Sequence, residues 1–88
     1  MERPAILQER EKTHGSFRMT ATTAQELKVH FRTLSNFSFS KLPARQREAL
    51  DMFATKIARI LSGDHSARDH WDDIAGYAQL GAEACQDQ

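Results

Sequence analysis

The stretch LPARQREALDMFATKIARILSGD, residues 42–64, predicts the most clearly bounded helix of the chain. Pro43 suits the first position of a helix, because proline has no backbone N–H to satisfy, and Gly63 suits the residue after the last turn. Between them, apolar side chains recur every three or four residues, the spacing of one buried helical face. These are Leu50, Phe53, Ala54, Ile57, Ile60 and Leu61. We therefore predict a helix over residues 43–62.

The same spacing predicts a helix on each side of this one. Residues 17–35 form the first, capped by Ser16, and their apolar face would carry Phe17, Ala21, Ala24, Leu27, Phe31 and Leu34. Residues 67–84 form the second, with a main apolar face of Trp71, Ile74, Ala75, Ala78 and Ala82. A second stripe on this helix is expected to be half buried, because apolar side chains follow two carboxylates along it: Asp69, Asp73, Tyr77 and Leu80.

The remaining segments are short and predict no strand. Residues 1–16 read as a short helix or arm, which THGS interrupts, and residues 36–42 read as a loop, because serines and the proline that follows disfavour a helix. Phe37 and Phe39 in this loop are expected to fold back over the core. The chain is therefore predicted to be one all-α domain, residues 1–88, built as a compact bundle of three to four helices.

Composition limits the kinds of partner and compartment. A domain of 88 residues has a modest core, so self-association is expected. The 12 basic and 12 acidic residues give a net charge of zero, which argues against nucleic acid or an anionic membrane as a partner. The single cysteine, Cys85, fits a reducing cytoplasm. No run of about 18 apolar residues would span a membrane, and the first residues lack an apolar signal core.

Two predicted helices carry acidic residues at helical spacing. Carboxylates from facing helices can converge on Mg²⁺ or Mn²⁺, which take oxygen ligands, and the candidates are Glu48, Asp51, Asp69 and Asp73. Lys56 and Arg59 lie on the first of these helices, where they would neutralise phosphate charge. This pattern predicts a metal site that holds a phosphate ester and activates water.

The same acids also have a structural interpretation. Ser66 and Asp69 have the spacing of a capping box, and Asp73 lies near a helix N-terminus, where the helix dipole favours a negative charge. Glu48 and Asp51 would then form a solvated helix face. The spacing alone leaves both interpretations open.

Three stretches of the chain resemble a known family. ILQEREKTHGSF at residues 6–17, LPARQREALDMFATKIARILSGD at residues 42–64 and DHWDDIAGYAQL at residues 69–80 resemble a family of small, uncharacterised bacteriophage and prophage proteins. That family is in turn similar to the MazG-type all-α nucleoside triphosphate pyrophosphohydrolases. The likeness extends over most of the chain, from residue 6 to residue 80.

The resemblance implies a Mg²⁺-dependent enzyme that cleaves an NTP or dNTP to the monophosphate and pyrophosphate and that works as a dimer or larger assembly. It implies metal-binding and catalytic roles for Glu48, Asp51, Asp69 and Asp73. It implies phosphate binding by Lys56 and Arg59. Within the host-cell cytoplasm, the nucleotide would then be the substrate and water the nucleophile.

The sequence also departs from the MazG pattern. Arg47 precedes Glu48 where the pattern has a second Glu, and the shorter Asp51 takes the place of its third acid. His70 stands where the closing Glu is expected if Asp73 is the anchor. These departures favour an alternative, a non-catalytic phage module that binds a host protein such as a defence or replication factor, with the SNFSFS loop as a contact. A sensor that binds nucleotide without cleaving it is a third interpretation.

Overall fold

The computed structural model describes residues 4–33 and 38–85, and every regular element in these ranges is helical. The elements, in chain order, are α1 (Ala5–His14), α2 (Phe17–Thr33), a short 3₁₀ helix (Phe39–Lys41), α3 (Ala44–Ser62) and α4 (Arg68–Ala84). The prediction of an all-α bundle is therefore confirmed for the described residues. Leu34 and Phe37, which were predicted to end a helix and to cover the core, lie outside them. None of the described helices is long and apolar enough to cross a membrane.

Local hydrogen bonds explain where α2 and α3 begin. The hydroxyl oxygen of Ser16 accepts a bond from the Met19 N–H at 3.2 Å, so the predicted cap of α2 is confirmed. Residue 43 was predicted to be the first residue of the helix, but α3 begins at Ala44 and Pro43 lies directly before it. Its carbonyl accepts the N–H groups of Gln46 and Arg47 at 2.9 and 3.0 Å, which closes the first turn.

The predicted capping box of α4 is wrong. Ala67 is the residue before α4, and no side chain caps that end. The carboxylate of Asp64 instead accepts the backbone N–H of Ser66 at 2.9 Å and also its hydroxyl. Because Asp64 lies only two residues before Ser66, it forms a closed turn of the Asx type and occupies the hydroxyl that was predicted to cap the helix. These bonds hold the pKa of Asp64 below its usual value.

α3 is the central helix and packs against both α2 and α4. The buried apolar side chains are small, apart from Phe39. This ring stacks on Phe31 with ring centroids 6.5 Å apart, so the prediction that Phe39 folds back over the core is confirmed. The others are Ala24, Ala49, Ala54, Ala58 and Ala84. Alanines let helix backbones approach closely, but they bury little apolar area. The largest fully buried side chain is His70, which is 1% exposed.

The helix faces differ from those predicted. On α4 the side chain of Trp71 is 54% exposed, and Ala75, Ala78 and Ala82 are exposed as well. The face turned inward consists instead of His70, Ile74, Tyr77, Gly81 and Ala84. This is a rotation of about 100°, or one residue, from the predicted face. The predicted stripes on the other helices are also wrong at three positions, since Phe17, Ile57 and Leu61 are exposed.

Gly15 forms the tight connection between α1 and α2. Its φ angle of 80° lies in the left-handed region that favours glycine. A Cβ atom built at this position would collide with the backbone carbonyl and the side chain of Ser62 at the end of α3. The connection therefore packs directly on the last turn of the central helix, and only glycine fits there.

We predict that Gly15→Ala lowers the free energy of unfolding by at least about 1 kcal/mol, because alanine combines the left-handed φ with this collision. Gly76→Ala is the matched control, since nothing lies within 4 Å of a Cβ atom at that helical position. It should stabilise the protein by about 0.5–1 kcal/mol. Urea denaturation of the two variants measures both effects, and equal stability would contradict the described packing of Gly15.

Candidate functional site

An ion pair between a buried lysine and a half-exposed aspartate joins α3 to α4. The ammonium nitrogen of Lys56 lies 2.8 Å from the nearer carboxylate oxygen of Asp73. The Lys56 side chain is only 10% exposed, whereas that of Asp73 is 47% exposed. An enclosed ammonium group is costly unless an opposite charge accompanies it. Asp73 supplies that charge, so the two residues form the polar centre of the contact between these helices.

Asp73 lies in a positive environment. The hydrogen bond from Lys56 and the charge of Lys56 hold the pKa of the Asp73 carboxyl below its usual value, and His70 and Arg59 lower it further. Lys56 and Arg59, the two residues predicted to bind phosphate, therefore both act on this one carboxylate.

Asp51 is paired on the other side of α3, with α2. The guanidinium of Arg32 donates two parallel hydrogen bonds to the two Asp51 oxygens, at 3.1 and 3.0 Å. The Asp51 carboxylate raises the pKa of Arg32. This is the bidentate geometry that makes arginine–carboxylate pairs specific. The carboxylate is therefore already neutralised within the chain.

The other two predicted ligands are exposed. Glu48 lies in the second turn of α3, and Asp69 lies in the first turn of α4, where the helix dipole favours an acid. Asp72 is paired with Arg68 one turn ahead at 3.3 Å, on the exposed side of α4. Of the four predicted ligands, two are therefore paired with basic side chains and two face solvent: Asp51 and Asp73 are the paired ones, and Glu48 and Asp69 are the exposed ones.

One copy of the chain does not bring these carboxylates together. Arg32 of α2 pairs with Asp51, whereas Asp73 lies in the contact between α3 and α4. Within residues 4–33 and 38–85, no three His, Cys, Asp or Glu side chains gather into a group that would hold a metal ion. A Mg²⁺ ion shared by the predicted set does not fit a single copy, and the set stays a prediction for an assembly of two.

Two features of the site were missed in the sequence. Arg32 lies 19 residues before Asp51 on a different helix, and no local spacing connects them. His70 was considered only as a departure from the MazG pattern, yet it is buried on the inner face of α4 close to Asp73. A charge pattern alone reveals neither, because both depend on how α2 and α4 are rotated about α3.

An apolar groove of about 370 Å³ lies beside the contact of α3 with α4. Gln46 crosses it, and its side-chain amide donates to the carbonyl oxygen of Gly81 at 3.2 Å. The apolar side chains that line the groove include Leu42, Leu50, Phe53, Ala78, Ala82 and Cys85. Four of these were predicted to lie on the buried apolar faces of α3 and α4, so the groove exposes part of those faces: Leu50, Phe53, Ala78 and Ala82.

We predict that Asp73→Asn destabilises the protein more than Lys56→Met does. The first change leaves a buried ammonium without its counter-charge, whereas the second leaves a half-exposed carboxylate that water can solvate. Thermal melts of both single variants and the double variant measure this difference. A double variant that is no less stable than Asp73→Asn is the expected sign of a direct pair, and additive losses would exclude it.

The pH dependence of stability tests the same pair. Because the pKa of Asp73 is lowered on folding, its contribution is fully present above the unfolded value of about 3.8 and is lost as the pH falls through the folded value. Melting temperatures measured from pH 6 down to about pH 2 should therefore fall less in Asp73→Asn than in the wild type. An identical acid dependence would contradict the lowered pKa.

The comparisons with known proteins give a family but no activity. A family model described as "Domain of unknown function (DUF6378)" matches residues 2–85. No curated protein matches the chain, and no solved structure matches it. Because the match covers nearly the whole sequence, the chain belongs to the DUF6378 family.

Proposed function

We propose that the chain is a subunit of a homodimeric, MazG-like nucleoside triphosphate pyrophosphohydrolase of bacteriophage type, acting in the host-cell cytoplasm. Its reaction would convert an NTP or dNTP to the monophosphate and pyrophosphate with Mg²⁺ or Mn²⁺. The resemblance of three stretches of the sequence supports this activity, and the all-helical bundle is compatible with it.

The single structural observation behind this proposal is the cluster at Asp73. Lys56 is buried against this carboxylate at 2.8 Å, with Arg59 close enough to lower its pKa. A bundle with so small a core gains little stability from an enclosed lysine, because desolvation of the charge offsets much of the attraction. A role in holding phosphate oxygens would give this lysine a function beyond joining the two helices.

The acidic residues would bind the metal ion, and the basic residues would bind the phosphate groups. A divalent ion, when bound, would screen the triphosphate and lower the pKa of a water molecule. The carboxylates of Glu48, Asp51, Asp69 and Asp73 would hold it. Lys56 and Arg59 would orient the phosphate chain and offset the charge on the leaving pyrophosphate. Because one copy separates Asp51 from Asp73, the ligand set requires side chains from a second copy.

An exposed apolar groove supports a homodimer. The groove lined by Leu50, Phe53 and Ala78 presents apolar surface that a second copy would bury.

A specific observation favours a second candidate, a non-catalytic module that binds a host protein. Asp51 and Asp73, one from each acidic helix, are both already neutralised by basic side chains of the same copy. A scaffold that had lost its chemistry would show this arrangement, and its apolar groove would then receive the partner. Isolation of one host protein in a fixed ratio with the chain, lost in Ala78→Asp, together with no nucleotide turnover, would support this alternative.

We predict that the purified protein releases pyrophosphate from at least one nucleotide when the common NTPs and dNTPs are tested with Mg²⁺ and with Mn²⁺. Asp73→Asn should lower kcat/KM by at least about a hundredfold, the usual scale for a group that acts on the reacting phosphate. Asp72→Asn is the matched control and should stay within about threefold of the wild type, because its carboxylate pairs with the exposed Arg68 on the surface of α4. No turnover with any nucleotide, and no rise in melting temperature on adding metal, would contradict the proposal.

We also predict a dimer in solution. Light scattering coupled to size exclusion should give about twice the chain mass of 10.0 kDa. Ala78→Asp places a charge in the groove and should shift the protein toward the monomer, whereas Gln79→Asp, at the next and exposed position of α4, should not. A wild-type monomer at all concentrations tested would exclude this assembly.

A further inference from the structure

The first helix leaves its apolar side chains in water. Within α1, every side chain whose exposure the structure describes, at residues 5–9 and 12, is exposed. Ile6 and Leu7 are among them, at 69% and 38% exposed. A helix of 10 residues is marginal in water by itself, because most helical stability in proteins comes from packing of one face. α1 therefore presents two large apolar side chains that its own copy leaves exposed.

The groove beside α3 and α4 is the complementary feature. None of its described lining residues is charged, and the lining is apolar except for the amide of Gln46. An open apolar groove between two helices is a common receptor for apolar side chains carried on a third helix. Ile6 and Leu7 have the aliphatic chemistry that this lining would bury.

The two features lie toward opposite ends of α3. α1 joins the bundle where Gly15 packs on Ser62, the last residue of α3. The groove instead lies along the first half of that helix, from Gln46 to Phe53. A two-fold axis that crosses α3 places each end of one copy beside the opposite end of its partner. One symmetric contact would therefore bring both α1 helices to both grooves.

We infer that the groove of each copy receives α1 of a second copy, with Ile6 and Leu7 as the side chains that become buried. This inference rests on the homodimer of the proposed function and names the segment that fills the groove. The exchange is reciprocal, so that two grooves are covered and two α1 helices gain a packing surface in the same contact.

The cysteine of the chain gives this inference a direct test, because Cys85 is the only one and it lines the groove. Ile6→Cys and Leu7→Cys each add one thiol to α1. Under mild oxidation at least one of these thiols should form a disulfide with Cys85 of the partner subunit. Lys12→Cys is the matched control and should not crosslink, because residue 12 is exposed on the opposite side of α1. Non-reducing gels detect the covalent dimer, and peptide mass spectrometry identifies the linked residues.

A second measurement does not depend on thiols. Ile6→Asp should raise the dissociation constant of the dimer at least about tenfold, because it replaces a buried isoleucine with a charge. Since residue 6 is exposed in one copy, the change should leave the fold of the monomer intact. Ala5→Asp, at the neighbouring exposed position, is the control and should dimerise like the wild type. Light scattering over a dilution series measures both variants.

The outcomes separate this inference from the proposed function. A dimer in which neither new thiol reaches Cys85 of the partner subunit, or in which Ile6→Asp dissociates no more than Ala5→Asp, would overturn the inference and leave the homodimer in place. A disulfide confined within one copy would overturn it in the same way. A monomer at every concentration would contradict the assembly in the proposed function, and the inference would fail with it.

Discussion

The ion pair of Lys56 with Asp73 is the interaction on which the rest of the structure depends. An ammonium group that is enclosed in a helix contact needs an opposite charge beside it, and Asp73, turned toward α3, provides it. That rotation of α4 directs His70 and Tyr77 inward and leaves Trp71 on the surface, where its indole N–H donates to the carbonyl oxygen of His65 at 2.9 Å. One polar contact thus sets which face of the last helix is buried.

This rotation has a consequence for packing. With Trp71 outside, α3 and α4 meet through small side chains, and the core that results consists mainly of alanines. Alanine contacts bring helices close together but remove little apolar surface from water. The larger apolar side chains, Leu50 and Phe53 among them, line an open groove instead. A small core and an exposed apolar groove are expected together in a subunit that completes its burial in an assembly.

The sequence predicted the positions of the helices better than it predicted which side of each helix is buried. Proline, glycine and apolar spacing are local signals, and they located α3 to within one residue at its start. The predicted buried face of α4 was rotated by one residue. Apolar spacing counts Trp71 as a core residue and does not reveal that Lys56 is buried. The acidic candidates were chosen from spacing, yet their partners come from other helices. Arg32 could not be assigned to Asp51 from spacing, because that pair depends on the packing of α2.

The central claim is that Asp51 and Asp73 are each neutralised within one copy, so that the proposed metal ion would need carboxylates of two copies. A crystal grown with Mn²⁺ and a non-hydrolysable nucleotide tests it most directly. The account predicts an anomalous peak between carboxylates of two copies. An ion held by the carboxylates of a single copy, or no ion and both ion pairs intact beside the nucleotide, would contradict it.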